Sequence, residues 1–125
     1  MIEKREVTLT GDSDSETMKN VHGKVLEIWV ANSADNTPTD DWDLTISHAN
    51  VGYDSTAVAH TILSDASVDK DVAVNVYKPV SAEHDVADGT ALTTKAPVMA
   101  WGDLTVAGAN MGASKIARVW LFFER

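Results

Sequence analysis

Four histidines are the residues in this sequence best suited to binding a metal ion or moving a proton. They are His22, His48, His60 and His84. No two of them have the short spacing of a metal-binding motif, although folding could gather any two. A single histidine on a strand or loop is more often packed or solvated than ligating. We therefore predict no metal site from these residues.

Two acidic segments contain side chains that could bind calcium. Residues 12–16 read Asp-Ser-Asp-Ser-Glu, like the opening of a calcium loop, but Gly23 stands at the twelfth position, where that loop needs Glu. This segment is interpreted as part of a solvated arm. The second group comprises Asp35, Asp40, Asp41 and Asp43. Turn formation and protection of a sheet edge are favoured there, with calcium binding as the alternative.

Catalytic motifs are missing from the sequence. It has no G-x-S-x-G elbow, no phosphate-binding glycine loop and no H-E-x-x-H. Cysteine is absent, which excludes disulfides, thiolate metal sites and thiol nucleophiles. The acidic residues fall in predicted loops without aromatic walls, so paired carboxylates in a cleft are not expected. We predict a protein that is not an enzyme and has no catalytic residue and no cofactor.

Length and charge narrow the remaining classes. The 125 residues fit a single domain, residues 1–125, and no segment has the pattern of a signal peptide or a membrane span. The net charge is −9, from 19 acidic and 10 basic residues, and the basic residues are scattered. Nucleic acid and anionic membranes are therefore not expected as partners. Solubility explains the acidity better than recognition of a basic surface does.

Alternating apolar and polar residues predict an all-β protein, an antiparallel β-sandwich or small barrel of jelly-roll type. In the clearest strand, residues 42–47, Trp42, Leu44 and Ile46 should face the core. Further strands are predicted at residues 7–10, 21–30 and 72–77.

Three other segments are predicted to lie outside the sheets. Residues 1–20 contain a polar N-terminal arm that is mobile in this interpretation, apart from the short strand at 7–10. Residues 56–66 have the spacing of one or two helical turns. Residues 81–95 are predicted to form a long surface loop with one short strand at most.

The last thirty residues, 96–125, predict one antiparallel hairpin with its turn at residues 108–112. The returning strand, residues 116–123, is apolar on both faces, so it should be central in its sheet. One face comprises Ala117, Val119, Leu121 and Phe123, and the other comprises Ile116, Arg118, Trp120 and Phe122. The second face is predicted to contact a partner; burial of both faces within one sandwich is the open alternative.

Several short motifs resemble those of small virion proteins from tailed bacteriophages. In that family a G-x-V strand is followed by P-T-x-x-W/Y-D and an alternating strand. The matching segments cover both ends of the chain, while residues 53–95 show little of the pattern. They are VHGKVLEI at 21–28, PTDDWDLTI at 38–46, PV at 97–98, GDLTV at 102–106, NMG at 110–112 and Lys115.

This resemblance implies a β-sandwich head decoration or cement protein on the outer capsid surface, made in the host cytoplasm. Its implied partners are the major capsid protein and further copies of itself, with a trimer at a local threefold as the usual arrangement. It also implies structural roles for Trp42 between sheets, Asp43 at a turn and Gly102 at a close backbone approach.

Two other function classes stay open at this stage. One is a receptor- or glycan-binding module of a phage appendage, with Trp29, Trp101 or Trp120 stacked on sugar rings. The other is a tail or neck structural subunit. The predicted interface residues are Ile116, Arg118, Trp120, Phe122, Trp29 and Trp101.

Overall fold

The computed structural model describes residues 1–48, 60–84 and 86–125. These residues form nine strands and no helix, so the described chain has no membrane-spanning helix. The all-β prediction is confirmed. The strands are β1 (Ile2–Thr10), β2 (Ser13–Asn32), β3 (Trp42–His48), β4 (His60–Val68), β5 (Val74–Tyr77), β6 (Val80–His84), β7 (Ala91–Pro97), β8 (Met99–Ala109) and β9 (Ile116–Glu124).

The long strand β2 joins two antiparallel layers. Its first part, residues 13–24, pairs with β8, and its second part, residues 24–32, pairs with β9 and β5. The first layer is therefore β1, β9, the second part of β2, and β5. The second layer is the first part of β2, then β8, β3 and β4. Strands β6 and β7 form a separate two-stranded sheet.

Two irregularities let β2 change layers. Its register shifts between Met18 and Val21 and again between Val25 and Glu27. Gly23 lies between these shifts with a φ of +145°, and a β-carbon there would overlap the backbone oxygen of Glu124. Bulges bend a strand and increase its twist. Glycine is therefore needed where the end of β9 crosses close to β2.

The inward faces of both layers form one core in which large aliphatic and aromatic side chains are fully buried. Trp42, Leu44 and Ile46 are all buried, as their alternation predicted. The Trp42 indole donates a hydrogen bond to the Asn32 side-chain oxygen at 3.1 Å, which satisfies its one polar atom. Burial of each such side chain contributes about 1.5–3 kcal/mol, so this core dominates stability.

The C-terminal hairpin prediction is wrong, because β2 lies between β8 and β9 in the sheet order. Residues 110–115 carry the chain from the second layer to the first. Met111 is buried in the core within this connection. The backbone N–H of Thr39 donates to the Met111 carbonyl at 2.9 Å, and the N–H of Ile116 donates to Asn36 at 3.0 Å. The central position of β9, between β1 and β2, is confirmed.

The prediction of a mobile N-terminal arm is also wrong. Residues 2–10 pair along their whole length with β9, and residue 13 already belongs to β2. The Arg5 guanidinium donates hydrogen bonds to the carbonyls of Lys19 and Asn20 at 2.9 and 3.1 Å, which ties β1 to β2 where no backbone ladder joins them. The polar residues of this segment are all exposed or half-buried, although most of them belong to strands.

The helix predicted at 56–66 is wrong for residues 60–66, which belong to β4; residues 56–59 lie outside the described chain. Pairing with β3 and burial of Ile62 and Val68 stabilise the strand. The loop predicted at 81–95 is wrong as well, because β6 and β7 pair there. Residue 85 lies outside the described chain. The strand predicted at 72–77 is confirmed as β5, which begins at Val74.

Gly23→Ala should lower the free energy of unfolding by about 1–3 kcal/mol more than Gly11→Ala does. Both glycines have positive φ, but a β-carbon at Gly11 meets no atom within 4 Å, whereas at Gly23 it meets the backbone of Glu124 and Arg125. Urea unfolding of both variants and the wild type measures the difference. Equal losses would contradict the close crossing of β2 and β9.

Candidate functional site

The outer face of the first layer has an apolar surface made by three neighbouring strands. On β9, the side chains of Trp120 and Phe122 alternate with buried ones and are half-buried on the outside. Trp120 lies opposite Trp29 on β2, and Trp29 lies opposite Val76 on β5. We call this surface the aromatic face, and it comprises Trp29, Val74, Val76, Trp120 and Phe122.

Neighbouring carboxylates hold the two indoles in place. The Trp120 Nε1 donates a hydrogen bond to Glu6 Oε2 at 2.6 Å, and the Trp29 Nε1 donates to Glu27 Oε2 at 2.8 Å. The rings of Trp29 and Phe122 are 4.7 Å apart between centroids and tilted by 60°. Since the indole donors are satisfied and the rings pack together, their faces form a fixed apolar surface.

This surface is exposed and has a charged margin. Trp29, Val74 and Val76 are 37%, 42% and 53% exposed. Two grooves of about 430 and 460 Å³ flank the Trp29–Phe122 pair, one reaching Lys78 and the other Lys4. Contiguous apolar surface with a polar rim is typical of a protein contact site.

Four of the six predicted interface residues lie together on this face or at its margin. Trp29, Trp120 and Phe122 are central, and the guanidinium carbon of Arg118 is 5.9 Å from the Trp120 ring centroid. Ile116 lines a smaller groove, of about 230 Å³, that Arg118 and Trp120 also line. Their contact with a partner stays a prediction. Sequence reasoning missed the β5 contribution of Val74 and Val76, whose exposure depends on β5 lying at a sheet edge.

Trp101, the sixth predicted residue, lies in the second layer, away from this face. It is 53% exposed and stacks on His48, with ring centroids 4.2 Å apart and planes 21° apart. His60 lies opposite His48 in the β3–β4 register, with centroids 5.8 Å apart. Folding thus brings together two histidines that sequence spacing did not connect. Recognition of residues 60–68 as a strand paired with β3 would have found this pair.

His48 is the one buried polar side chain found in the described chain. It is 2% exposed, and its Nε2 has no hydrogen-bond partner there. Burial, with a smaller contribution from the neighbouring His60, lowers the pKa of His48. The neutral imidazole is therefore the form that the fold favours.

Several of the acidic residues considered for calcium accept structural hydrogen bonds. Asp12 accepts one from the Gly112 N–H at 3.0 Å, and Asp14 accepts one from the Thr10 N–H at 3.0 Å, which secures the β1–β2 turn. Asp41 accepts from the Lys70 N–H at 3.1 Å. Such bonds explain these positions without an ion. In residues 1–48, 60–84 and 86–125, no group of three or more potential ligands could hold a metal.

Two of the three structural roles implied for Trp42, Asp43 and Gly102 agree with the contacts. Trp42 is buried between the layers, and Asp43 accepts a hydrogen bond from the Asn110 amide at 2.8 Å, beside the 110–115 connection. Gly102 is not at a close approach, because a β-carbon there would meet nothing within 4 Å. Its φ of +97° explains the glycine instead.

No protein-family model and no curated protein matches the chain. Solved structures to which the chain is similar include FLHE, at 14% identity and a TM-score of 0.38 over 100% of this chain and 97% of that one. A family 16 carbohydrate-binding module has 13% identity and a TM-score of 0.38 over 94% and 74%. A Drosophila NLP core has 12% identity and a TM-score of 0.39 over 100% and 98%.

More distant matches include a Bacillus endospore pilus and infectious bursal disease virus, at TM-scores of 0.33 or less. At such low TM-scores and identities, none of these likenesses carries an argument about function. The function must therefore be argued from the residues of this chain.

Trp120→Ala should destabilise the isolated subunit by about 1 kcal/mol, because the side chain is only half-buried. Trp42→Ala, the matched core control, should cost about 3–5 kcal/mol. If Trp120 anchors an interface, its loss should also weaken assembly by about 2 kcal/mol or more. Urea unfolding and light scattering measure the two effects. A core-sized stability loss for Trp120→Ala, with normal assembly of the folded remainder, would contradict the interface role.

The free energy of unfolding should fall as the pH drops below about 6.5, the ordinary pKa of histidine. The lowered pKa of folded His48 means that the unfolded chain binds more protons in this range, which favours unfolding. His48→Gln should flatten this slope, because it removes the buried imidazole. Urea unfolding at several pH values tests this. An unchanged slope in His48→Gln would contradict the assignment.

Proposed function

We propose that this protein is a non-enzymatic structural protein of a tailed-phage virion, a decoration or cement protein that binds the outer surface of the head as an oligomer. The observation that carries the proposal is the aromatic face. Its aromatic rings are fixed on the sheet, with Trp29 37% exposed and Trp120 and Phe122 half-buried, so part of each ring can contact another protein. The resemblance of both ends of the chain to small phage virion proteins supports the specific location.

The contacts on this face suit assembly without chemistry. Tryptophan, phenylalanine and arginine bury much area while losing few rotamers, which makes them frequent anchors of protein interfaces. Here the Glu6 and Glu27 carboxylates already hold the indoles before any partner arrives. A preorganised surface loses less entropy on binding than a flexible one. The major capsid protein and further copies of this chain are the proposed partners.

A second candidate function, glycan or receptor binding, is favoured by the exposed Trp101. Its ring is supported by the His48 imidazole, and an indole held in this way can stack on a sugar ring. The nearby Asp103 does not offer a free carboxylate, because it accepts hydrogen bonds from the Asn20 N–H at 3.0 Å and the Lys19 ammonium at 3.1 Å. This engagement makes the glycan function the weaker candidate.

Sedimentation with assembled capsids separates these functions. Wild type and Trp101→Ala should both pellet with capsids that lack the protein, because Trp101 lies away from the aromatic face. Trp120→Ala should pellet less, and cryo-EM of the decorated particles should place the added density outside the head. Density inside the head or only on the tail would contradict the location. Binding to a glycan array that Trp101→Ala abolishes, without capsid binding, would favour the second candidate.

A further inference from the structure

The hairpin of β6 and β7, residues 80–97, protrudes from the sandwich; we call it the hairpin arm. It leaves the body next to β2, where the Val98 N–H donates to the Pro79 carbonyl and the Val25 N–H donates to the Val98 carbonyl. Beyond this base, its packing is almost entirely between its own two strands. Every described side chain of β7 except Ala96 is exposed.

Such an arm lacks the packing that normally stabilises a sheet. An isolated two-stranded hairpin is marginally stable in water, and a third strand or a packed face is usually needed. The arm nevertheless exposes Val80 at 50%, Leu92 at 43% and Val86 fully. These apolar side chains are available to be covered by another surface.

The charges of the arm indicate which surface could cover its apolar side chains. Within a chain of net charge −9, residues 80–97 contain Glu83, Asp85 and Asp88 against Lys95, a net charge of −2. The margin of the aromatic face, in contrast, contains more cations than the arm does.

The cations there are Lys4, Lys78 and Arg118. The carboxylates Glu6 and Glu27 accept the hydrogen bonds of the indoles, and the Lys78 ammonium is also 3.6 Å from Glu27 Oε1. These five groups have a net charge of +1 next to exposed apolar surface; Glu124, exposed at the end of β9 beyond Phe122, lies opposite Lys24.

We propose that the hairpin arm of one copy docks on the aromatic face of the next copy, head to tail. The contact would pair an acidic apolar arm with a basic-rimmed apolar face. A face-to-face dimer would instead bring two sets of the same cations together. Head-to-tail contacts close into rings when the rotation between copies permits. This inference rests on the proposed assembly role of the aromatic face and names the partner as a second copy.

Two variants test the contact from its two sides. One is Trp29→Ser with Trp120→Ser, which keeps the arm and alters the face. The other replaces residues 82–95 with Asn-Gly, which joins Ser81 to Ala96, already paired across the hairpin, and keeps the face. In light scattering, the wild type should be an oligomer and each variant alone a monomer. The tryptophan variant should retain the far-UV circular dichroism of the wild type, and the arm-deleted variant should still unfold cooperatively in urea.

An equimolar mixture of the two variants should form a one-to-one heterodimer and nothing larger, because one intact arm and one intact face remain. An oligomeric arm-deleted variant, a monomeric wild type or no heterodimer in the mixture would each overturn the proposal.

Charge reversal gives a milder test that does not remove side-chain bulk from the face. Lys78→Glu with Arg118→Glu should raise the dissociation constant of the oligomer at least tenfold. Adding Glu83→Lys and Asp88→Lys to the same chain should restore most of the affinity; no recovery would argue against the pairing. Sedimentation of each variant with assembled capsids is measured in a separate experiment. A monomer that still pellets with capsids refutes the head-to-tail contact alone, whereas an arm-dependent oligomer that does not pellet refutes only the proposed function.

Discussion

The structure depends on one strand being shared by two layers. A straight strand of twenty residues would extend over about 66 Å, more than a small sandwich layer accommodates. β2 therefore bends, at its two register shifts and at Gly23. The Asp103 carboxylate stabilises the first shift by accepting hydrogen bonds from the Asn20 N–H and the Lys19 ammonium. This bend places β8 and β9 in different layers although they are consecutive in the chain.

The chemistry of the aromatic face follows from this arrangement. With β9 fixed between β1 and β2, the strand period of two directs Ala117, Val119, Leu121 and Phe123 into the core and the alternate residues outward. The same register sets Trp120 between Glu6 and Trp29. The carboxylate that holds each indole therefore comes from β1 or β2, and the face depends on these two strands as well as on β5 and β9.

The sequence allowed prediction of features that depend on one strand at a time. The all-β class, the burial of Trp42, Leu44 and Ile46, and the two faces of β9 all follow from alternation. Strand pairing was not predictable, because the chain contains no local signal that residues 110–115 cross between layers. The predictions of an N-terminal arm and of a helix at residues 56–66 were wrong for a related reason. Polar residues at exposed and half-buried strand positions resemble a loop. A chance helical spacing in residues 60–66 is overridden by pairing with β3.

The same limit applies to the candidate site. Trp29, Arg118, Trp120 and Phe122 were expected at an interface from residue type, and the β2–β9 register brings them together. Val74 and Val76 join them only because β5 pairs with the second edge of β2. Trp101 was grouped with these residues by type, yet pairing of β8 with the first part of β2 places it in the other layer.

Charge distribution decides how a chain of net charge −9 can self-associate. At physiological salt the Debye length is about 8 Å, so charges farther apart than this interact weakly. Contact between copies is therefore governed by the charges at the contact and less by the net charge. The cations Lys4, Lys78 and Arg118 collect around the aromatic face, while three acidic residues lie in the segment 80–97. In the proposed head-to-tail contact the charges that meet are of opposite sign, so the contact does not oppose the net charge of the chain.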